Sequence, residues 1–383
     1  IALIGNYGMD FLISRAPYVD FLENQDFEVY AIVPNDEYLS LLKEKNLKVL
    51  PYELERNSLN LISLVKTVLK LRRYNKEYNF AVTHSFGLQS NILNNLSFGI
   101  SRKIFVVNHI TGLGFSFTRN SFKAKIFRLF NLIVYQFLFL LSNVIITQNN
   151  DDRNILSKLL FVKKKFKVIN GSGVDHKKMS RSSVDLHSVD HLEQEFSITP
   201  DSIVITFIGR LVAEKGINEF IAMAKHLSLV SPSLRFLIVG WLDTKNPTCL
   251  SDLDLEELKN FPNIFLLGKR FDIRELLYLT NIYVLPTYRE GFPRSILEAM
   301  AMELPVITNR VTGAKDAVVN EYNGILVPPQ NVDSLVNATN KMIESPEIRK
   351  VYGSNGRKRI EEEFCSEIIF KNFLGCYQFI RKM

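Results

Sequence analysis

The sequence predicts an α/β chain built from two successive doubly wound halves, each a parallel sheet covered by helices on both faces. Three observations predict it. Short apolar runs that end in glycine or polar residues alternate with helical stretches, the pattern of βαβ units. That alternation stops at a polar segment, roughly 176–200, and then restarts. The chain has 383 residues, more than one ordinary core holds.

In the first half, strands are expected at 1–5 (IALIG), 27–34, 47–52, 80–85, 103–109 and 143–148, with a glycine-containing loop, NYGMD, after the first and a helix over about 13–24. In the second half they are expected at 202–210 (SIVITFIGR), 234–240, 264–270, 282–288 and 305–310. The segment 176–200, with HKKMSRSSVDLHSVDH, reads as the region between domains, which puts the domains at 1–175 and 176–362. Ligands of such sheets bind at the carboxyl ends of the strands, so the site is expected in the cleft between the domains.

Apolar content is 46% and charged content 23%, ordinary for a globular protein and unlike a disordered, collagenous or coiled-coil chain. Cys249, Cys365 and Cys376 form no CxxC pair, no Cys/His cluster has zinc spacing, and no metal site is expected. A cytoplasmic setting fits. Net charge is +7, and between Lys66 and Arg128 eleven Lys/Arg face one acid, Glu77. That stretch is a solvated basic face, or it meets an anionic membrane surface or substrate. No nucleic-acid motif accompanies it. The apolar run 129–146, LFNLIVYQFLFLLSNVII, approaches the length of a span, but Asn131, Gln136, Ser142 and Asn143 interrupt it. It reads as a buried helix followed by a core strand.

Four constellations carry possible chemistry. In FIGRLVAEKG (207–216) a strand ends at Gly209, and Arg210 and Lys215 leave the following loop just before a helix. Glycine admits phosphate to the backbone, a helix N-terminus favours anions, and an Arg fork with a Lys point charge suits a diphosphate. The plain alternative is a strand–loop–helix turn with two exposed cations. In YREGFPRSILEAMA (288–301) Glu290 precedes a helix opening near Ser295, and Glu298 lies inside it. A carboxylate accepts two hydrogen bonds from a vicinal diol, so the pair suits sugar and ribose hydroxyls. Gly291, Phe292, Pro293, Arg294 and Ser295 line the same turn. The plain alternative is a carboxylate complementing the helix dipole. In GKRFDI (268–273) Lys269 and Arg270 end a strand and are candidates for contact with the donor. In NHITGLGF (108–115) His109, Thr111, Gly112 and Gly114 follow a strand and are candidates for acceptor contact, although a lone histidine is more often structural.

The first and second of these motifs, in this order along the chain and about eighty residues apart, resemble glycosyltransferase family 4, whose fold, GT-B, has two Rossmann-like domains facing across a cleft. The resemblance covers essentially the whole chain and is most specific over 207–301. It implies a nucleotide-sugar donor, usually UDP-linked, retention of anomeric configuration, and no essential metal or other cofactor. Arg210 and Lys215 match the diphosphate-binding pair, Glu298 the residue that holds the ribose, and Glu290 the one that contacts the donor sugar. The loop with Gly5, Tyr7 and Gly8 matches the one that meets the donor phosphates from the acceptor-binding N-terminal domain. The last helix, about 363–383, is expected to pack back on that domain. Many family members carry a histidine where this chain has Thr111, two residues after His109.

The runs at 37–60, TGLG (111–114), INGSGVD (169–175) and DTKNPTC (243–249) are also similar to a subgroup of lipid-linked-glycan N-acetylhexosaminyltransferases. The N-acetylgalactosaminyltransferase of bacterial N-glycan assembly is among them, as are capsule and O-antigen enzymes. That similarity implies an undecaprenyl-diphosphate-linked acceptor and an enzyme peripheral at the inner face of the cytoplasmic membrane, touching anionic lipid through its basic N-terminal face. In the implied chemistry Arg210, Lys215 and Glu290 are catalytic, with charge on the departing diphosphate stabilised by the two cations. The competing readings are a glycosyltransferase with a soluble acceptor and a non-catalytic sugar-nucleotide-binding protein.

Overall fold

The computed structural model describes residues 1–53, 61–114, 117, 122–159 and 165–377. Part of the run 37–60 and the end of the last expected helix lie outside these residues. The chain divides into two compact units, one of Ile1–Gly173 with Ser366–Met383, the other of Val174–Cys365.

The first unit runs β1 (Ala2–Ile4), α1 (Gly8–Ser14), α2 (Ala16–Glu23), β2 (Tyr30–Pro34), α3 (Leu39–Glu44), β3 (Val49–Tyr52), α4 (Leu61–Tyr78), β4 (Val82–Phe86), α5 (Leu88–Phe98), β5 (Phe105–Ile110), α6 (Phe122–Leu140), β6 (Val144–Thr147), α7 (Asn150–Leu159) and β7 (Phe166–Val168). Its seven-stranded sheet is parallel, in the order β3-β2-β1-β4-β5-β6-β7. Successive side chains of a strand point to opposite faces. Leu3 therefore joins one core with Phe11, Val19, Val107 and Phe373, while Ala2 and Ile4 join another with Leu71, Leu93 and Val106.

The expected single helix over 13–24 is two helices, broken at Arg15. Pro17 lies in the first turn of α2, where its missing N–H costs nothing. α1 begins earlier than expected because Asp36 Oδ2 accepts the Gly8 amide at 2.7 Å. The expectation of a buried helix within 129–146 is also corrected. α6 packs inward through Tyr135 and Phe139, but Leu129, Phe130, Ile133 and Phe137 on its other side are exposed. An all-round apolar sequence hid which face the sheet covers. No described helix is long and apolar enough to cross a membrane.

The second unit runs α8 (Leu186–Glu195), β8 (Ile203–Ile208), α9 (Ile217–Ser228), β9 (Leu234–Val239), α10 (Asp252–Leu258), β10 (Ile264–Gly268), α11 (Ile273–Leu279), β11 (Ile282–Leu285), α12 (Arg294–Ala301), β12 (Val306–Asn309), α13 (Ala314–Ala317), β13 (Gly324–Val327), α14 (Val332–Glu344) and α15 (Pro346–Arg359). Its sheet is parallel, in the order β10-β9-β8-β11-β12-β13. The strand order reverses between β8 and β11, the place where such sheets open toward a ligand. The polar stretch 176–200 is not simply a connector. Asp185 caps α8 by accepting the His187 amide, and Val189, Leu192 and Phe196 pack with Leu237 and Leu276.

The last helix, α16 (Ser366–Gly375), belongs to the first unit, where Ile369, Phe370 and Phe373 enter the core beside β1, β4 and β5.

Candidate active site

On the second unit, the loops leaving β8 and β11 meet. Gly216 sits at φ +77°, and a Cβ there would lie 2.0 Å from the Pro286 carbonyl oxygen. Glycine is required at that point both for the left-handed backbone and for the close approach. The contact draws the 210–215 loop onto the start of the 286–293 loop. The Tyr288 amide donates to Glu214 O at 2.9 Å, and Asn309 Nδ2 donates to Pro286 O and Thr287 O.

This stitching sets Lys215 Nζ 2.5 Å from Glu290 Oε1. Thr287 Oγ1 donates to the same carboxylate oxygen at 2.9 Å. The Glu290 amide is fixed in turn by Thr312 O at 3.0 Å. Behind it, Gly313 at φ +81° leaves room that a Cβ would take from Glu290 O at 2.5 Å. The Glu290 side chain is only 12% exposed, so its charge is held by these two partners rather than by bulk water.

Arg210 stands at the rim of the same loop, with Nη1 2.9 Å from Asp243 Oδ2. Asp243 comes from the segment after β9. That segment is sewn to the β8 loop by Ala213 N to Thr248 O at 3.0 Å, Leu250 N to Leu211 O at 3.1 Å, and Thr248 Oγ1 to Glu214 Oε2 at 2.6 Å. In α12, Glu298 Oε1 takes the Arg294 Nε–H at 2.8 Å, one helical turn back. Beneath them Tyr283 is fully buried, and its hydroxyl is pushed up well above its ordinary value, first by burial and then by the Glu298 and Glu290 charges, against a lowering hydrogen bond with Ser295.

The unit therefore brings Lys215 to Glu290 and sets Arg210, just after Gly209, on the same loop; Gly291, Pro293, Arg294, Ser295 and Glu298 follow Glu290 along its loop and α12, whereas the Phe292 ring turns into the core against Phe364 at 5.1 Å. Lys269 and Arg270 are engaged elsewhere. Arg270 is held bidentately by Asp272 at 2.9 and 2.6 Å and reaches Glu195 at 3.4 Å, while Lys269 Nζ lies 5.3 Å above the Phe271 ring. Among the described residues no group of three or more His, Cys, Asp or Glu is placed to hold a metal ion.

In the first unit the loop after β1 is anchored by Tyr52 OH donating to Gly5 O at 2.7 Å, by the Gly8 amide on Asp36, and by an edge contact of Tyr7 on Tyr38 at 5.5 Å. Asn6 and Thr111 both border Gly87, so this loop and the turn carrying Thr111, Gly112 and Gly114 share the carboxyl edge of the sheet. His109 does not share it. It faces inward with 0% exposure, among Phe373, Phe86 and His84, and neither ring nitrogen has a hydrogen-bond partner among the described residues. Burial first, then Arg15 and His84, hold it well below the usual histidine range. The position at the sheet's carboxyl edge belongs to Thr111, which is half-buried.

Sequence reasoning missed Asp243, Thr287 and Asp36. Asp243 lay in the DTKNPTC run, which was read for resemblance and not for charge. Asp36 carries no local signal, because the Gly8 amide it holds lies in another loop, and Thr287, three residues before Glu290, falls inside the run 282–288 expected as a strand.

Residues 189–359 match the family of glycosyl transferases, group 1. The chain is 28% identical over 382 residues to the N,N'-diacetylbacillosaminyl-diphospho-undecaprenol alpha-1,3-N-acetylgalactosaminyltransferase of Campylobacter jejuni, covering 100% of this chain and 99% of that one. It is 24% identical, over 90% of this chain and 87% of the relative, to the UDP-Gal:alpha-D-GlcNAc-diphosphoundecaprenol alpha-1,3-galactosyltransferase of Escherichia coli. A crystal structure of a glycosyltransferase from Rickettsia africae superposes with a TM-score of 0.80 at 17% identity, covering 100% of this chain and 98% of that one. The second unit thus carries a glycosyl transferases group 1 domain, and the two parallel Rossmann-like units are of the GT-B kind.

Proposed function

We propose that this glycosyltransferase moves a hexose or N-acetylhexosamine from a UDP-sugar to an undecaprenyl-diphosphate-linked glycan, with retention and without a metal, in the assembly of a surface polysaccharide or a glycoprotein glycan. The observation that carries the proposal is the loop pair on the second unit, where Arg210 and Lys215 emerge at the strand-order reversal beside Glu290. The lipid-diphosphate acceptor and the UDP donor are supported by the names of the Campylobacter and Escherichia relatives, which also specify alpha linkages. An alpha product from the usual alpha-linked donor is retention.

In this reading Arg210 and Lys215 bind the diphosphate, and Glu298 and Glu290 accept hydrogen bonds from ribose and sugar hydroxyls. The bond from the anomeric carbon to the phosphate oxygen breaks as charge grows on the diphosphate, which the two cations stabilise. The acceptor oxygen bonds to the anomeric carbon from the same face, and its proton passes to the departing phosphate oxygen. The enzyme works at the inner face of the cytoplasmic membrane, with the basic side of its first unit toward anionic lipid.

The test is transfer from a panel of UDP-, GDP- and ADP-sugars to an undecaprenyl-diphosphate-linked acceptor, with and without EDTA, and with the product linkage read by NMR. Alpha-linked product from a UDP-sugar in EDTA is expected. Beta-linked product, loss of transfer in EDTA, or exclusive use of soluble acceptors would each overturn the corresponding part.

A further inference from the structure

α4, α5 and α6 form one helix layer on the sheet of the first unit: they carry the buried partners of β3, β4, β5 and β6, and α5 lies between the other two. On α6, Ile126, Leu129, Phe130, Ile133, Phe137 and Leu140 are 49% to 67% exposed. Their spacing follows the helical period, so they form a single stripe about 100° wide. Tyr135 and Phe139, at 2% and 0% exposure, occupy the opposite side and fix that stripe outward. Single exposed hydrophobic residues are ordinary, but a contiguous apolar stripe along a whole helix marks a binding face.

Charge selects its partner. On α4, Val65 and Leu69 are exposed beside Lys66, Arg72, Arg73 and Lys76. Lys125 is exposed on α6. Across all three helices the sequence contains one acid, Glu77. An apolar stripe flanked by cations fits the boundary of an anionic bilayer, where acyl chains take the apolar side chains and headgroups the basic ones.

We propose that α6 is a lipid-inserting helix that lies in the plane of an anionic bilayer, with the basic face of α4 on the headgroups beside it. α6 does not cross the bilayer, because Tyr135 and Phe139 keep it on the sheet. The choice of a bilayer over a protein partner rests on the lipid-linked acceptor proposed above. The consequence is that binding is only partly electrostatic: salt screens the α4 contribution and leaves the α6 contribution.

Flotation of the purified protein with phosphatidylglycerol/phosphatidylethanolamine vesicles, without substrates, at low and high salt tests this. The chain should float with these vesicles and retain part of its binding at high salt. Phe130→Ser with Phe137→Ser should reduce binding by about tenfold or more with an unchanged melting temperature, since both side chains face outward. Arg72→Gln with Arg73→Gln should remove mainly the salt-sensitive part. Absence of vesicle binding, unaltered binding by the Phe130/Phe137 variant, or a dimer in light scattering that this variant converts to monomer would overturn the proposal, the last by assigning the face to a second copy. Transfer to a short-chain, water-soluble diphosphate acceptor, measured in parallel, reports on the acceptor chemistry independently of the bilayer.

Discussion

Lys215 Nζ and Thr287 Oγ1 converge on one oxygen of Glu290, at 2.5 and 2.9 Å. The carboxylate is thus oriented before any sugar arrives, and the lysine is held at the mouth of the loop by a charge of opposite sign. Lys215→Ala removes both the cation and the clamp. It should lower kcat/KM by about 10²–10³, the loss expected when one preorganised charge is withdrawn from a developing anion. The melting temperature should fall as well, because the Glu290 side chain, only 12% exposed, loses its cation, so turnover is compared per folded enzyme. Steady-state kinetics with a thermal melt checks both; near-parental turnover would remove Lys215 from the chemistry.

Asp243 holds Arg210 in the same manner, and the two side chains are 27% and 35% exposed. A diphosphate that takes the guanidinium must displace this carboxylate. Asp243→Asn removes the competing anion while its backbone carbonyl can still accept the Asn246 amide. UDP should then bind more tightly, by about three- to tenfold, in line with the modest worth of a solvent-exposed ion pair. Calorimetry with UDP checks it, and weaker UDP binding would show that the carboxylate positions Arg210 and does not compete with the ligand.

Gly313→Ala tests the backbone behind Glu290. The new methyl would sit 2.5 Å from Glu290 O and 2.6 Å from Gly291 O, at a φ of +81° that strains any L side chain. The expected cost is about 2–4 kcal/mol of stability from the left-handed backbone and the clash together. Because the clash falls on the loop that carries Glu290, transfer should fall further than the lost fraction of folded protein explains. Urea unfolding beside kinetics on the folded enzyme separates the two.

How much of this was legible in the sequence follows from where each signal lies. β8, β9 and β11 are buried on both faces and stand out as apolar runs, and the loops leaving β8 and β11 carry their own glycine, proline and charge. β7 and β13, edge strands that are only partly buried, were not read as strands. α6 is apolar on most sides, so periodicity could not say which face the sheet covers. Asp243 became a site residue only when folding brought separate loops together, whereas Thr287, three residues before Glu290, lay inside a run expected as a strand. His109 was ambiguous for the opposite reason: strand alternation allows one of two faces, and the tertiary fold put it under α16.

That burial gives the first unit a pH dependence. His84 and His109 lie in one cluster, His84 Nδ1 2.5 Å from Tyr377 OH, and burial followed by the Arg15 charge holds both well below their ordinary value of 6.5. In the folded chain they are neutral at pH 7, and in the unfolded chain they take up protons below about 6.5. Where the unfolded state binds more protons, stability rises with pH, so it is full above 6.5 and lost as pH falls below it. Each histidine contributes up to about 1.4 kcal/mol per pH unit in that window. His109→Leu keeps an apolar group among Phe86, Phe373 and His84 and removes one titrating site. Between pH 7.5 and 5.5 its unfolding free energy should fall less steeply than that of the parent. The difference between the two slopes isolates His109 from the carboxylates that titrate in both proteins, and equal slopes would mean that His109 is protonated in the fold.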